Sequence, residues 1–392
     1  MDNFVYCISR ELSVYFTIKN LLAIFNKQTF VTVKEYRIYD ILKELADQDD
    51  LIIIKSKIRR IFEILRGLVP DENGFLEIDK NGNSFKINAE YLRSKIDQIS
   101  ETKSLERTQY YIQRLIKALS EEKTSKLNDI NLHRWKEYND IITDSLWILE
   151  KRDNSGIHNA GYWGNFIPQI PNQLLRRFTK QGEWVLAPFL GSGTTLIECQ
   201  RLGRNGIGIE IQPEVAEIAK KNIESEKGLF SKDVHIDIIV ADSLNVNYEM
   251  EFERIGINQV QFVILHPPYW DIIKFSDNPN DLSNSLIIND FLNRMKILIA
   301  KINRILEHNR YCVLVIGDKY TNGEWIPLAF YTMQEFLNFD FQLKATIVKN
   351  FEDTRGKMNQ KELWRYRALV GGFYIFKHEY IFLFKKIKKK TV

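Results

Sequence analysis

From about Ile157 onward, short apolar runs alternate with segments whose apolar residues recur at helical spacing. The apolar runs read EWVLAPF, NGIGIEIQP, VHIDIIVADS, QFVILHPPYW and RYCVLVIGDK, and amphipathic segments such as TTLIECQRLG and IINDFLNRMKILIAKINRILEH connect them. This alternation predicts a mainly parallel β-sheet with helices on both faces, because parallel strands need long crossover connections. The last two runs, DFQLKATIVKN and KHEYIFLFKK, have no long helix predicted between them, which indicates an antiparallel end to the sheet.

The first 150 residues have a different pattern, with Lys, Glu, Ile and Leu at helical spacing, as in VKEYRIYDILKELADQ. The polar segment PDENGFLEIDKNGNSFKI places Gly and Asn between apolar residues and predicts a β-hairpin. We therefore expect a mainly helical accessory domain over residues 1–150 and an α/β domain over residues 151–392. Helices around a small hairpin fit a DNA-binding winged helix, and they fit a helical packing or dimerisation domain equally well.

The composition is that of a globular protein, with 44% hydrophobic and 27% charged residues. A formal net charge of +4 is too small to indicate nucleic-acid binding by itself. The cysteines, Cys7, Cys199 and Cys312, form no CxxC pair, so we expect no metal site or disulfide framework and a cytoplasmic location. Apolar runs are too short to span a membrane, and we expect a monomer or homodimer.

Open α/β sheets bind ligands beyond the carboxyl ends of their strands, where this chain has a glycine-rich turn and two acids. Gly191 and Gly193 lie between a strand and a helix and allow close approach of the backbone to a ligand. Glu210 ends the second strand, 19 residues after Gly191, at the spacing of an acid that accepts from ribose hydroxyl groups. Asp242 ends the third strand and can accept from an adenine amino group. Each feature alone fits an ordinary turn or helix cap, but the three in order predict a nucleoside-bearing cofactor.

The fourth strand ends in the sequence HPPYW, residues 266–270. Two consecutive prolines cannot donate to a sheet ladder, so nearby carbonyl groups are left as acceptors facing the cleft. A neutral His266 is a further acceptor, and Tyr269 and Trp270 offer ring faces for stacking. Acceptors beside aromatic faces suit a flat ring with an exocyclic amino group, because they orient that group for methyl transfer. The alternative interpretation is a rigid turn with a structural histidine.

These ordered motifs, VLAPFLGSGTTLIEC, NGIGIEIQP, VADS and LHPPYW, resemble those of the amino-methylating DNA methyltransferases, which transfer a methyl group from S-adenosylmethionine to cytosine N4 or adenine N6. The resemblance covers residues 157–388. It implies a Rossmann-like class I methyltransferase fold, with a mostly parallel seven-stranded sheet whose last strand is antiparallel. It implies that the cofactor is bound by Phe189, Gly191, Gly193, Thr194, Thr195, Glu210 and Asp242. It also implies that a flipped target base is held by His266, Pro267, Pro268 and Tyr269.

Two residues depart from the family pattern. Ala187 stands where the family usually has an aspartate that helps to order the glycine loop, so its presence puts cofactor binding in question. His266 stands where the family usually has Ser, which favours cytosine N4, or Asp or Asn, which favour adenine N6. The Trp270 that follows is frequent after the serine form, so the sequence slightly favours cytosine N4.

A further set of residues is predicted to contact double-stranded DNA. The segment NFEDTRGKMNQKELWRYRALVGG lies between the last two strands and combines basic with aromatic side chains, which suits phosphates and unstacked bases. The predicted DNA-binding residues are Trp270, Lys274, Arg355, Lys357, Trp364, Arg365 and Arg367. An ordinary solvated loop is the alternative interpretation of this segment.

The sequence therefore predicts a site-specific DNA methyltransferase, either solitary or paired with a cognate restriction endonuclease. Two other functions remain compatible with the motifs. One is an RNA amino-methyltransferase, because RNA enzymes share the cofactor fold and related Pro-Pro-Tyr motifs. The other is a nucleic-acid-binding protein on an impaired methyltransferase scaffold, which Ala187 suggests.

Overall fold

A computed structural model describes residues 30–66, 68–71, 84–158, 161–162, 164–226, 233–351 and 361–388. The chain divides into two compact units. The first comprises Met1–Ser125 with Ile130–Asn139, and the second comprises Lys126–Asp129 with Asp140–Val392. In the described part of the chain, no helix is long and apolar enough to cross a membrane.

The described residues of the first unit form helices around a two-stranded antiparallel sheet. The elements are β1 (Phe30–Lys34), α1 (Glu35–Ala46), α2 (Leu51–Leu65), β2 (Ser84–Asn88), α3 (Ala89–Ser100), α4 (Leu105–Ser120) and a 3₁₀ helix (Leu132–Glu137). Apolar residues at helical spacing, such as Ile54, Ile58 and Ile61 of α2, form its core. The predicted hairpin falls largely on residues 72–83, which lie outside the described residues, and its last strand, β2, pairs with β1.

The second unit contains a large sheet. Its strands are β3 (Leu146–Trp147), β4 (Trp184–Ala187), β5 (Asn205–Glu210), β6 (Ile236–Val240), β7 (Val260–Leu265), β8 (Leu306–Ile316), β11 (Phe341–Asn350) and β12 (His378–Lys386). A separate hairpin joins β9 (Lys319–Thr321) to β10 (Glu324–Ile326). The helices are α5 (Gln169–Phe178), α6 (Thr194–Leu202), α7 (Pro213–Glu226), α8 (Tyr248–Arg254), α9 (Ile288–Ile305), α10 (Leu328–Leu337) and α11 (Lys361–Gly371).

The strand order in this sheet is β3-β11-β12-β8-β7-β4-β5-β6. All neighbouring pairs are parallel except the two that involve β12, which runs antiparallel to β11 and to β8. The predicted mainly parallel sheet with an antiparallel last strand is therefore confirmed. The structure adds the two-residue strand β3 at the edge and the helix α11 between β11 and β12, neither of which the sequence predicted.

Two apolar layers cover the sheet, because successive strand residues point to opposite faces. On β4, Leu186 packs in the layer with α8, α9 and α10, whereas Val185 packs in the layer with α5, α6 and α7. On β7, Val263 and Leu265 belong to the first layer, and Phe262 belongs to the second. The two layers fix the central strands, so that the segments following β4, β5, β6 and β7 meet at one edge of the sheet.

Candidate active site

A cavity of about 460 Å³ opens at the carboxyl ends of the central strands. This volume lies within the usual range for sites that bind cofactors or small molecules. Segments from the whole predicted site meet there, from the glycine-rich turn to the residues after β7. The predicted site residues that line the cavity are Phe189, Gly191, Glu210, Asp242, His266, Pro267, Pro268 and Tyr269.

The glycine-rich turn brings its backbone to the cavity wall. Gly191 has a left-handed backbone with φ of 55°, a conformation that side chains disfavour. Its N–H donates to Glu210 Oε2 at 2.9 Å, so the end of β5 holds the turn in place. A Cβ atom at position 191 would lie 3.2 Å from the ring of Tyr162, whose side chain therefore covers the turn from the other side.

The rest of the turn supports the cavity from outside. Among the described residues, Gly193, Thr194 and Thr195 are not part of the cavity wall. Gly193 has φ of 94°, and a Cβ atom there would lie 3.3 Å from Ala219 Cβ on α7. The Thr194 hydroxyl donates to Asn165 Oδ1 at 2.6 Å and so connects the start of α6 to the upstream segment. Their predicted role in cofactor binding stays a prediction, and the contacts observed are those of a scaffold.

Glu210 is the carboxylate that ends β5, and it is only 7% exposed. Its Oε1 accepts from the Gln212 N–H at 3.1 Å, in addition to the bond from Gly191. Burial raises the pKa of Glu210, and the nearby Asp281 carboxylate raises it further against the lowering effect of these backbone bonds. The side chain is thus a desolvated acceptor at the cavity wall.

Asp242 follows β6 and also lines the cavity. Its Oδ1 accepts from the Leu244 N–H at 2.9 Å, and its Oδ2 accepts from the Asn245 side chain at 2.6 Å. These bonds cap the turn and fix the carboxylate beside Leu244, which also faces the cavity.

The wall near these acids fits a nucleoside-bearing cofactor. Two carboxylates, Glu210 and Asp242, are acceptors for hydroxyl and amino groups, and apolar side chains stand between them. These apolar residues are Phe189, Leu190, Ile209, Ile211 and Leu244. A few polar groups that converge within an apolar wall are typical of sites that bind cofactors and other small molecules.

The HPPY motif connects to a buried polar chain at the other part of the cavity. His266 Nε2 lies 3.2 Å from the Tyr269 hydroxyl oxygen, and the Tyr269 hydroxyl donates to Glu379 Oε2 at 2.8 Å. Lys349 Nζ donates to Glu379 Oε1 at 3.0 Å. Lys349 and Glu379 are directly paired in the β11–β12 register and are 5% and 8% exposed. The four residues form one chain of contacts that lines the cavity.

The charges of this chain follow from its burial. Burial lowers the pKa of His266 to about 4, although Glu379 opposes this shift, so the imidazole is neutral at physiological pH. Burial and the Glu379 carboxylate raise the pKa of Tyr269, which keeps its hydroxyl protonated. Burial alone would raise the pKa of Glu379, but Lys349, His266 and the hydrogen bond from Tyr269 together lower it.

Packing fixes the rings of the motif. The rings of Phe166 and His266 lie 4.7 Å apart between centroids, and Tyr269 meets His266 edge-on at 5.6 Å. A Cβ atom at Gly317 would lie 2.9 Å from the Tyr269 ring. The glycine directly after β8 therefore leaves room for this ring.

Trp270 and Lys274 lie outside the cavity wall as far as the structure describes it. The Trp270 backbone has φ of 53°, its indole donates to the Ser285 carbonyl at 2.8 Å, and the Lys319 ammonium lies 4.0 Å from its ring centroid. Lys274 is exposed and pairs with Asp277. Stacking of a base on Trp270 and binding of DNA by Lys274 stay predictions.

The predicted DNA-binding segment is described in part. Arg355 and Lys357 lie outside the described residues. Trp364, Arg365 and Arg367 lie on α11, where both arginines are exposed and the Arg367 guanidinium lies 5.2 Å from the Trp364 ring centroid. An exposed helix that carries basic side chains is compatible with the predicted phosphate contacts, which stay a prediction.

Sequence reasoning missed several residues of the cavity, among them Asp281, Lys349 and Glu379. Lys349 and Glu379 carried little signal, since each lies near a strand end beside another polar residue, Asn350 or His378. Asp281 carried none. It follows the motif in a polar loop, where its carboxylate accepts from Ser283 and Ser276.

The strand order and the nucleoside-fitting cavity define a Rossmann-like methyltransferase fold. The family model described as DNA methylase matches residues 9–221 and 260–392. The chain belongs to this family of N6- and N4-type DNA methylases, whose cofactor is S-adenosylmethionine.

Individual relatives match shorter segments. Type II methyltransferase M.MjaII of Methanocaldococcus jannaschii is 40% identical over 86 residues, which are 22% of this chain and 16% of that protein. M2.DpnII of Streptococcus pneumoniae is 45% identical over 67 residues, covering 16% and 25%. M.MthZI of Methanothermobacter thermautotrophicus is 27% identical over 139 residues, covering 34% and 37%. Among solved structures, TrmN from Thermus thermophilus aligns at 14% identity with a TM-score of 0.37, covering 57% of this chain and 49% of that one.

Proposed function

We propose that this protein transfers a methyl group from S-adenosylmethionine to the exocyclic amino group of a base flipped out of double-stranded DNA. One observation carries the proposal: a single cavity joins the acids Glu210 and Asp242 to the HPPY motif. Membership of the DNA methylase family supports DNA as the substrate. The relatives are named as type II methyltransferases, which supports a role beside a restriction endonuclease.

Each part of the cavity has a distinct role in this proposal. Glu210 accepts from the ribose hydroxyl groups of the cofactor, and Asp242 accepts near its adenine. The bound cofactor supplies an electrophilic methyl group. Tyr162 and the glycine-rich turn line the same region of the cavity.

The target base enters beside the HPPY motif. A neutral His266 accepts a hydrogen bond from the amino group and so orients its nitrogen lone pair, as positioning for a displacement reaction requires. Phe351 and Phe376 also line the cavity and offer apolar faces to an unstacked base. The base must leave the duplex, because its amino group is otherwise paired.

Cytosine N4 is the favoured target in this proposal. The support is the Trp270 that follows the motif, as it does in the serine form of the family. Adenine N6 requires the same acceptors for its amino group, so both bases must be assayed.

The test is methylation of mixed-sequence duplex DNA by the purified protein, followed by mass spectrometry of the nucleosides. We expect N4-methylcytosine in the treated DNA, and His266→Ala should abolish most of it while cofactor binding persists. Tyr331→Ala is a matched control, because Tyr331 is a half-exposed aromatic residue on α10 outside the described cavity wall. Methylation of structured RNA but not of duplex DNA would contradict the proposal, as would a protein that binds no cofactor.

A further inference from the structure

The buried pair of Lys349 and Glu379 has a consequence for the proton on His266. The Glu379 carboxylate is an acceptor, and its Oε2 lies 2.8 Å from the Tyr269 hydroxyl. The single hydroxyl proton of Tyr269 is therefore committed to Glu379. The Tyr269 oxygen can then only accept from His266 Nε2, which lies 3.2 Å away.

A neutral imidazole carries one N–H, and the partner of one nitrogen decides the role of the other. If Nε2 carries the proton and donates to Tyr269, then Nδ1 carries a lone pair. We propose that Glu379, held by Lys349, is a positioning residue that fixes the Nε2–H tautomer of His266 and thereby leaves Nδ1 as the acceptor for the target amino group. This inference rests on the function proposed above for the use of that acceptor, but the tautomer itself does not depend on substrate.

Lys349 contributes by fixing the orientation and charge of Glu379. The ammonium group can only donate, and it lies 3.0 Å from Oε1, so the other carboxylate oxygen remains for Tyr269. Both groups belong to paired strands, which gives the carboxylate little freedom to turn away. A buried ion pair need not add net stability, because desolvation opposes its attraction, and the role proposed for this pair is to fix geometry.

Glu379→Gln tests this arrangement without a change of volume. A carboxamide has one acceptor oxygen and one donating NH₂ group. The Lys349 ammonium attracts the oxygen, so the NH₂ group faces Tyr269 and donates to its hydroxyl oxygen. The Tyr269 proton is then free to bind His266 Nε2, and the proton on the imidazole moves to Nδ1. We therefore expect this variant to hold the opposite tautomer.

The double variant Lys349→Met/Glu379→Gln provides a rescue. Methionine has no donor, so the carboxamide can turn and present its oxygen to Tyr269 again. The Nε2–H tautomer should then return in part, together with part of the activity. A purely structural role of the pair predicts the reverse, because the double variant has lost more polar contacts than the single one.

The measurement is the ¹⁵N NMR spectrum of the full chain labelled at histidine, with His266 identified by its absence in His266→Asn. We expect Nε2–H in the wild type, Nδ1–H in Glu379→Gln, and Nε2–H again in the double variant. The methylation kcat should fall about tenfold or more in Glu379→Gln with cofactor affinity unchanged, since one hydrogen bond to the reacting group is lost. Glu335→Gln is the control, because Glu335 lies on α10 and accepts only a surface contact from Asn338 among the bonds described.

An Nδ1–H tautomer in the wild type would overturn the inference. So would a Glu379→Gln variant that keeps the wild-type tautomer, whether or not its kcat falls. Absence of methyl transfer to any nucleic acid by the wild type would instead refute the proposed function, and the spectra would still decide the tautomer.

Discussion

Replacement of Glu210 should weaken cofactor binding strongly and change the stability of the protein little. It is a buried carboxylate that accepts from Gly191 and Gln212, and burial raises its pKa. The raised pKa means that the ionised form is disfavoured in the free folded protein, so stability falls as pH rises through the pKa of the folded state. Glu210→Gln removes this charge but also one acceptor. Because the two effects oppose each other, we expect the stability of the free variant to stay within about 1 kcal/mol of the wild type.

The affinity for cofactor should change much more. Hydrogen bonds to charged groups contribute about 1.5–3 kcal/mol, so loss of the carboxylate should weaken binding about 10- to 150-fold. The pH dependence provides a second check. Binding to the wild type should weaken as the pH falls through the raised pKa of Glu210, because protonation removes the negative charge and turns one acceptor oxygen into a donor. The Gln variant has no proton to gain there and should show no such step.

Isothermal titration calorimetry with S-adenosylmethionine and denaturant unfolding of the free protein measure the two quantities. Glu214→Gln is the matched control, because Glu214 is an exposed acid in the first turn of α7, four residues further along the chain. Equal cofactor affinities for Glu210→Gln and the wild type would refute the role assigned to this acid. A large loss of stability without a change in affinity would show that Glu210 serves the glycine-rich turn alone.

Three further predictions concern the motif, the turn and the DNA surface. Tyr269→Ala should lower the methylation kcat by about tenfold or more, as expected for loss of one stacking face, with cofactor affinity by calorimetry unchanged. Gly193→Ala should destabilise the protein by about 1–2 kcal/mol in denaturant unfolding, because its φ is 94° and the added Cβ atom would lie 3.3 Å from Ala219 Cβ. Gly182→Ala has a similar φ of 78° but no atom within 4 Å of the added Cβ, and should lose less stability. Arg365→Gln and Arg367→Gln should each lower the slope of log affinity against log salt by about one if α11 contacts phosphates, and unchanged slopes would argue against that surface.

The sheet could be predicted from the sequence because each of its central strands is marked by a local pattern. Each central strand is an apolar run of a few residues, and Gly191, Glu210 and Asp242 follow such runs directly. Since parallel strands end at a common edge, the sequence positions of these residues were enough to predict that they meet. The helix α11 was not predicted, because KELWRYRALVG has a mixed pattern without a clear apolar face toward the sheet.

The polar chain behind the motif depends on register, which the sequence does not display. Lys349 and Glu379 meet because β11 and β12 pair with those residues opposite each other, despite a register shift between Leu343 and Ala345. A shift of one residue would have turned one charge to the other face of the sheet. The position of Trp270 depends on a positive φ, which the local sequence does not predict.

The structure also bears on whether Ala187 impairs the glycine-rich turn. This residue is buried at the end of β4, and the turn after it is ordered by neighbouring strands. The Leu190 N–H donates to the Ile209 carbonyl at 2.9 Å, and the Gly191 N–H donates to Glu210 at the same distance. The Ser243 hydroxyl donates to the Pro188 carbonyl, which joins the turn to the segment after β6. Because these bonds hold the turn without an acid at position 187, the alanine gives little support to an impaired scaffold. The experiments on Glu210 and His266 are therefore the ones that distinguish an enzyme from a binding protein.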